Sequence, residues 1–112
     1  MRYDAVVANP PYLSRRSQPK RLTKFLDEFY SGYHVDLFSA FIRASALLSK
    51  ENGFFNLMTP QVWMFTVSYN HLRNFVLKQN HIRSLVELPL SGFEGATVQI
   101  GAFSFRNYPL PK

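Results

Sequence analysis

The stretch Tyr3-Asp4-Ala5-Val6-Val7-Ala8-Asn9-Pro10-Pro11-Tyr12 restricts the fold more than any other part of the chain. Ala5 to Ala8 is a short apolar run and predicts a buried strand. Two consecutive prolines cannot continue a central ladder, so the strand stops at Asn9. In an open α/β sheet the carboxyl end of a parallel strand borders a ligand crevice. Here that end carries an amide, a rigid carbonyl pair and an aromatic ring. The Asn9 side-chain oxygen and the Pro10 carbonyl can each accept a hydrogen bond from an NH2 group. Tyr12 can stack on a planar ring. A plain Asn-Pro-Pro turn would explain the same residues without any site. The apolar run before it and the tyrosine after it favour a pocket for a planar group with an exocyclic amine.

The rest of the composition fits one small domain with a real core. Of 112 residues, 46% are hydrophobic and 16% aromatic, too apolar for disorder. Eleven Phe and six Tyr imply either an aromatic core or rings on a surface meant to be covered. The formal net charge of +6 makes a polyanionic partner plausible. The chain has no cysteine, which excludes disulfides, thiolate metal sites and a Cys nucleophile, and suits a bacterial-type cytoplasmic protein. No apolar run reaches the length of a membrane span.

Residues 13–35 read as a long loop. Arg15, Arg16, Lys20, Arg21 and Lys24 follow one another there with no acid between them. Such a run is commonly a solvated face; its position directly after Tyr12 favours contact with phosphates. Phe25, Phe29, Tyr30 and Tyr33 then either stack on bases or anchor the loop to the body.

Asp36 reads as an N-cap, and Leu37, Phe41, Ala44 and Leu48 recur at helical spacing, predicting a helix over 36–49. Asn52 and Gly53 suit a left-handed stop. A second buried strand is expected over 53–58, closed by Thr59-Pro60. Strand, helix, strand is a right-handed crossover unit, so the two strands are expected to be parallel. Trp63, Met64 and Phe65 then lie at the same sheet edge as Asn9. They either wall the pocket or pack the next helix, expected over 68–79. A third strand over 82–88, a loop over 89–95 and a last strand over 98–105 form an antiparallel pair. Residues 107–112 are expected to be a tail.

The motif, with Asp36-Leu37-Phe38, Phe41-Ile42, Leu47-Leu48, Gly53, Thr59-Pro60 and the segment Phe93 to Val98, resembles the adenine-specific DNA methyltransferases. Among these it is similar to the large methylases of type IIG restriction-modification and BREX-type phage-exclusion systems. The resemblance implies a class I, Rossmann-like fold using S-adenosylmethionine, with sheet order first, second, fourth, third. It implies that Asn9, Pro10, Pro11 and Tyr12 form the catalytic motif. Asn9 and the Pro10 carbonyl would hold the N6 amine of a flipped adenine, and Tyr12 would stack on the base. Arg15, Arg16, Lys20, Arg21 and Trp63 are the further candidates for contact with DNA. The family's Gly-rich cofactor loop and the acid that grips the ribose have no counterpart here. The expectation is therefore one partial domain, residues 1–112, holding the target-base half and binding the cofactor poorly alone. Its exposed strand edge would pair with a missing N-terminal half, a separate subunit or a second copy. Methyltransferases acting on RNA bases or on a glutamine amide use the same motif. A non-catalytic nucleic-acid-binding module is the alternative outside the enzymes.

Overall fold

A computed structural model describes residues 1–88 and 99–108. Strand β1 (Tyr3–Ala8) is followed by helix α1 (Lys20–Phe29), helix α2 (Leu37–Leu48) and strand β2 (Ser49–Pro60). Helix α3 (Asn70–Gln79), strand β3 (His81–Leu88) and strand β4 (Ile100–Arg106) complete the order. The sheet runs β1-β2-β4-β3, with β1 parallel to β2 and β4 antiparallel to both of its neighbours. This is the order and direction that the sequence reading expects.

Burial alternates along β2, with Phe55, Leu57 and Thr59 enclosed, as a strand with one covered face should. They meet Phe103 and Phe105 of β4 on the side that α2 and α3 cover. Phe38 and Ile42 of α2 and Leu72, Phe75 and Val76 of α3 fill the same core. Phe55 and Phe105 stack at 4.9 Å between centroids. Val7, Phe54 and Val86 remain exposed.

Three expectations need correction. Residues 13–35 are not one irregular loop. Leu22, Phe25, Leu26 and Phe29 recur at i, i+3, i+4 and i+7, and α1 forms on that apolar stripe. Lys20, Arg21 and Lys24 are therefore helical. Second, β1 is not buried. Val7 is 80% exposed while Val6 and Ala8 turn toward the core; the strand's place at the edge of the described sheet is the expected one. Third, β2 begins at Ser49, directly after α2. Asn52 takes the expected positive φ, 65°, inside the strand rather than before it. Its N–H donates to the Asn107 carbonyl at 2.8 Å, and the Asn107 N–H donates to the Gly53 carbonyl at 2.8 Å. The pairing register slips beside this turn, between Tyr3 and Ala5, and a Cβ at Gly53 would stand 2.9 Å from the Lys50 carbonyl oxygen and 3.0 Å from that of Asp4. The remaining bounds differ from expectation by a residue or two. The expected loop over 89–95, the segment Phe93 to Val98 and the end of the tail, 109–112, lie outside the described residues.

Candidate active site

Pairing of β1 with β2 ends at Ala8 opposite Leu57, and the prolines carry the chain away from the sheet. Asn9, Pro11 and Tyr12 are exposed, while Pro10 is buried and anchors the bend. Together with Met58 of β2 and Ile100 of β4, these residues line a cleft of about 350 Å³ at the carboxyl end of the parallel strands. Asn9 also borders a neighbouring cleft of about 260 Å³, lined further by Val7, Asn56, Met58 and Ala102. One amide thus sits between two concavities.

The far side of the motif is held by α2. The Asp36 side chain caps that helix by accepting the Phe38 N–H at 3.2 Å. The same oxygen accepts the Leu13 N–H at 2.9 Å. The Leu13 carbonyl in turn accepts the Leu37 N–H at 3.1 Å and the Gln18 side-chain amide at 3.0 Å. Tyr12 meets Phe38 edge-on, 6.2 Å between centroids, and Phe38 stacks on Tyr69 at 5.6 Å. The Tyr12 ring is thus buttressed by the core, yet 37% of the residue stays open. Partial burial pushes its phenol pKa up. Burial pushes that of Tyr69 up to about 12, with the Asp36 carboxylate adding to the rise. Both phenols are neutral near pH 7, so Tyr12 presents an uncharged face to a ligand.

The basic run divides into two kinds of residue. Arg15 makes a two-pronged contact with Asp27 at 2.6 and 2.7 Å. That contact holds the Asp27 carboxyl below its ordinary range and the Arg15 guanidinium above its own. Arg15 therefore ties the turn before α1 to the helix and is only partly available to a phosphate. Arg16, Lys20, Arg21 and Lys24 are exposed and have no ion-pair partner among the described residues.

Trp63 does not line the cleft. It is 2% exposed, lies against Phe103 at 5.1 Å and donates its indole N–H to the Thr59 hydroxyl at 3.2 Å. Of its two expected roles, packing is the one it performs. Phe65 is an open ring at that end of the sheet, 72% exposed, beside Pro60 and Gln99. Phe25, Phe29 and Tyr30 lie on or just after α1, with Phe25 contacting both of the others, while Tyr33 anchors the chain against Phe75 and His71.

Among the described residues no three His, Asp or Glu side chains cluster as a metal site requires. The polar side chains of the cleft beside Val7 are Asn9 and Asn56. Asn56 is already engaged: it donates to the Val6 carbonyl at 3.2 Å and accepts from Ser104 at 2.6 Å.

The model of the Eco57I restriction-modification methylase family matches residues 1–93. The adenine-specific methyltransferase BrxX of Escherichia coli O9:H4 (strain HS) is 36% identical over 109 residues, covering 95% of this chain and 9% of that protein. The adenine-specific methyltransferase PglX of Lacticaseibacillus casei (strain Zhang) is 36% identical over 104 residues, covering 90% of this chain and 9% of the relative. The chain thus spans less than a tenth of the length of these curated relatives. In structure it is similar to a Listeria monocytogenes protein assigned to the class I S-adenosylmethionine-dependent methyltransferases, with a TM-score of 0.73 at 17% identity over 99% of this chain and 33% of the other. The fold is that of the class I methyltransferases.

Proposed function

The chain belongs to the Eco57I restriction-modification methylase family, and from that premise we propose that it forms the target-base part of a DNA adenine-N6 methyltransferase serving restriction-modification or phage defence. The observation that carries the reading is the arrangement at the end of β1, where Asn9, Pro10 and Tyr12 border one cleft. An adenine turned out of the duplex would enter that cleft, because its N6 is inaccessible inside the stack. The N6 lone pair is delocalised into the ring. The Asn9 oxygen and the Pro10 carbonyl would accept its two hydrogens and bend the nitrogen out of plane, which returns the lone pair to nitrogen. Tyr12, held by Phe38, would stack on the ring and fix the direction of attack. S-adenosylmethionine would supply the methyl group in the complete methylase. Arg16, Lys20 and Arg21, without ion-pair partners among the described residues, would contact phosphates beside the flipped base.

The test is Asn9→Ala in a complete methylase carrying this segment. Loss of a bond worth roughly 1–3 kcal/mol should lower the methyl-transfer rate at least ten- to hundredfold and leave cofactor affinity nearly unchanged. An unchanged turnover number removes Asn9 from the mechanism. The edge of β1 would pair with a further strand, belonging either to the cofactor-binding part of the methylase or to a second copy. Sedimentation of the 112-residue chain at several concentrations checks this: a stable monomer throughout counts against it.

A further inference from the structure

We propose that Asp36 is a positioning residue for methyl transfer, setting the orientation of Asn9 and Tyr12 through the Leu13 amide; this rests on the reading of that motif as the target-base site. The side chain serves two elements with one atom. Its Oδ1 accepts the Phe38 N–H, an ordinary helix cap, and also the Leu13 N–H from 23 positions away in the sequence. The motif is therefore fixed at both ends. At one end Ala8 is locked into the sheet opposite Leu57. At the other, Leu13 is clamped to the first turn of α2, and Ser14 bridges to Asp36. Between them Pro10 and Pro11 have fixed φ, so few torsions remain free. Those torsions decide where the Asn9 amide and the Tyr12 ring point.

The Asp36 backbone is itself held. The Ser39 hydroxyl stands 2.7 Å from its carbonyl oxygen and 2.5 Å from that of Tyr33, and the next residue returns a bond to Leu13, from the Leu37 N–H to its carbonyl. The clamp therefore joins the motif to a rigid helix end rather than to another loop. Displacement of a reacting group by about 1 Å can lower a rate about a hundredfold, so a clamp one residue from Tyr12 should be visible in turnover.

Asp36→Ser and Asp36→Asn separate the two duties. Serine is a good cap but its hydroxyl is too short to serve both Phe38 and Leu13. Asparagine keeps an oxygen of the same reach. In the complete methylase, Asp36→Ser is expected to lower kcat by about ten- to hundredfold, as for a slightly misplaced group, with cofactor KM and unfolding midpoint nearly unchanged. Asp36→Asn is expected to restore most of the rate. With 2-aminopurine at the target position, Asp36→Ser should alter the fluorescence of the flipped base. A wild-type kcat in Asp36→Ser, while Asn9→Ala is slow, overturns the Asp36 inference and leaves the site reading intact. A wild-type rate in Asn9→Ala fails the site reading itself. If Asp36→Ser does not fold, amide exchange in the wild type decides. A protected Leu13 amide together with an active Asp36→Asn supports the clamp; Leu13 exchange as fast as an open loop refutes it.

Discussion

Trp63 is the sole tryptophan of the chain, and its neighbours make its behaviour calculable. Replacing it with phenylalanine removes part of a ring enclosed by Phe103 and Phe105 and deletes the indole bond to Thr59. The Thr59 hydroxyl keeps another acceptor, the Pro60 carbonyl at 3.1 Å, so it is not orphaned. A large-to-smaller core change with one lost hydrogen bond costs about 2–3 kcal/mol. With a urea slope of about 1–3 kcal/mol per molar, the midpoint should fall by roughly 1 M or more. Far-UV circular dichroism is the assay, since the variant has no tryptophan to follow. In the unaltered chain the indole should emit to the blue, resist quenching by iodide, and ignore an oligonucleotide carrying the target base. A base-pocket wall would do the opposite. An unchanged midpoint together with quenching by DNA would refute the packing argument.

Gly32 has a φ of +91°, and a Cβ there would stand 2.5 Å from the His71 ring. Gly32→Ala should therefore destabilise by roughly 1–2 kcal/mol, and adding His71→Ala should recover only the steric part in the same urea melts. Tyr69 has a folded pKa near 12 against an ordinary 10.0. A raised value stabilises fully below pH 10 and is lost as pH rises toward 12, at most on the order of 2–3 kcal/mol. Tyr69→Phe should flatten stability across that window, and an unchanged slope would contradict the burial. Replacing Arg16, Lys20 and Arg21 together with alanine should flatten the salt dependence of DNA affinity by about 0.9 in log–log slope per lost phosphate contact. Arg15→Ala should change it less, because Asp27 already occupies that guanidinium.

Local signals carried most of the fold. The apolar runs, the Asp36 cap and the Pro stops were enough for the parallel pair, both sheet-covering helices and the antiparallel end. The signal for α1 was also present, in the spacing of Leu22, Phe25, Leu26 and Phe29, but the charges threaded through it read as a loop in contact with phosphates. Trp63 shows a different limit. Its position after Thr59-Pro60 locates it at the right end of the sheet, and nothing in the spacing says which way the ring turns. The short 3-10 turn of Gln61–Met64 points it inward and leaves Phe65 outside. Asp36 shows a third. Its capping role follows from the apolar pattern next to it, whereas its bond to Leu13 joins residues far apart in sequence.

β1 is the most instructive case, because its sequence and its surroundings disagree. A strand covered on one face alternates apolar with polar residues, whereas a strand covered on both faces is apolar throughout. Ala5-Val6-Val7-Ala8 is of the second kind. Among the described residues only the Val6 and Ala8 side has cover, and Val7 is left 80% exposed. Phe54 of β2 and Val86 of β3 stand exposed on the same sheet. Composition of this sort records the environment in which the strand works. A cysteine-free apolar edge beside the candidate site is poorly suited to water and well suited to a second layer of protein.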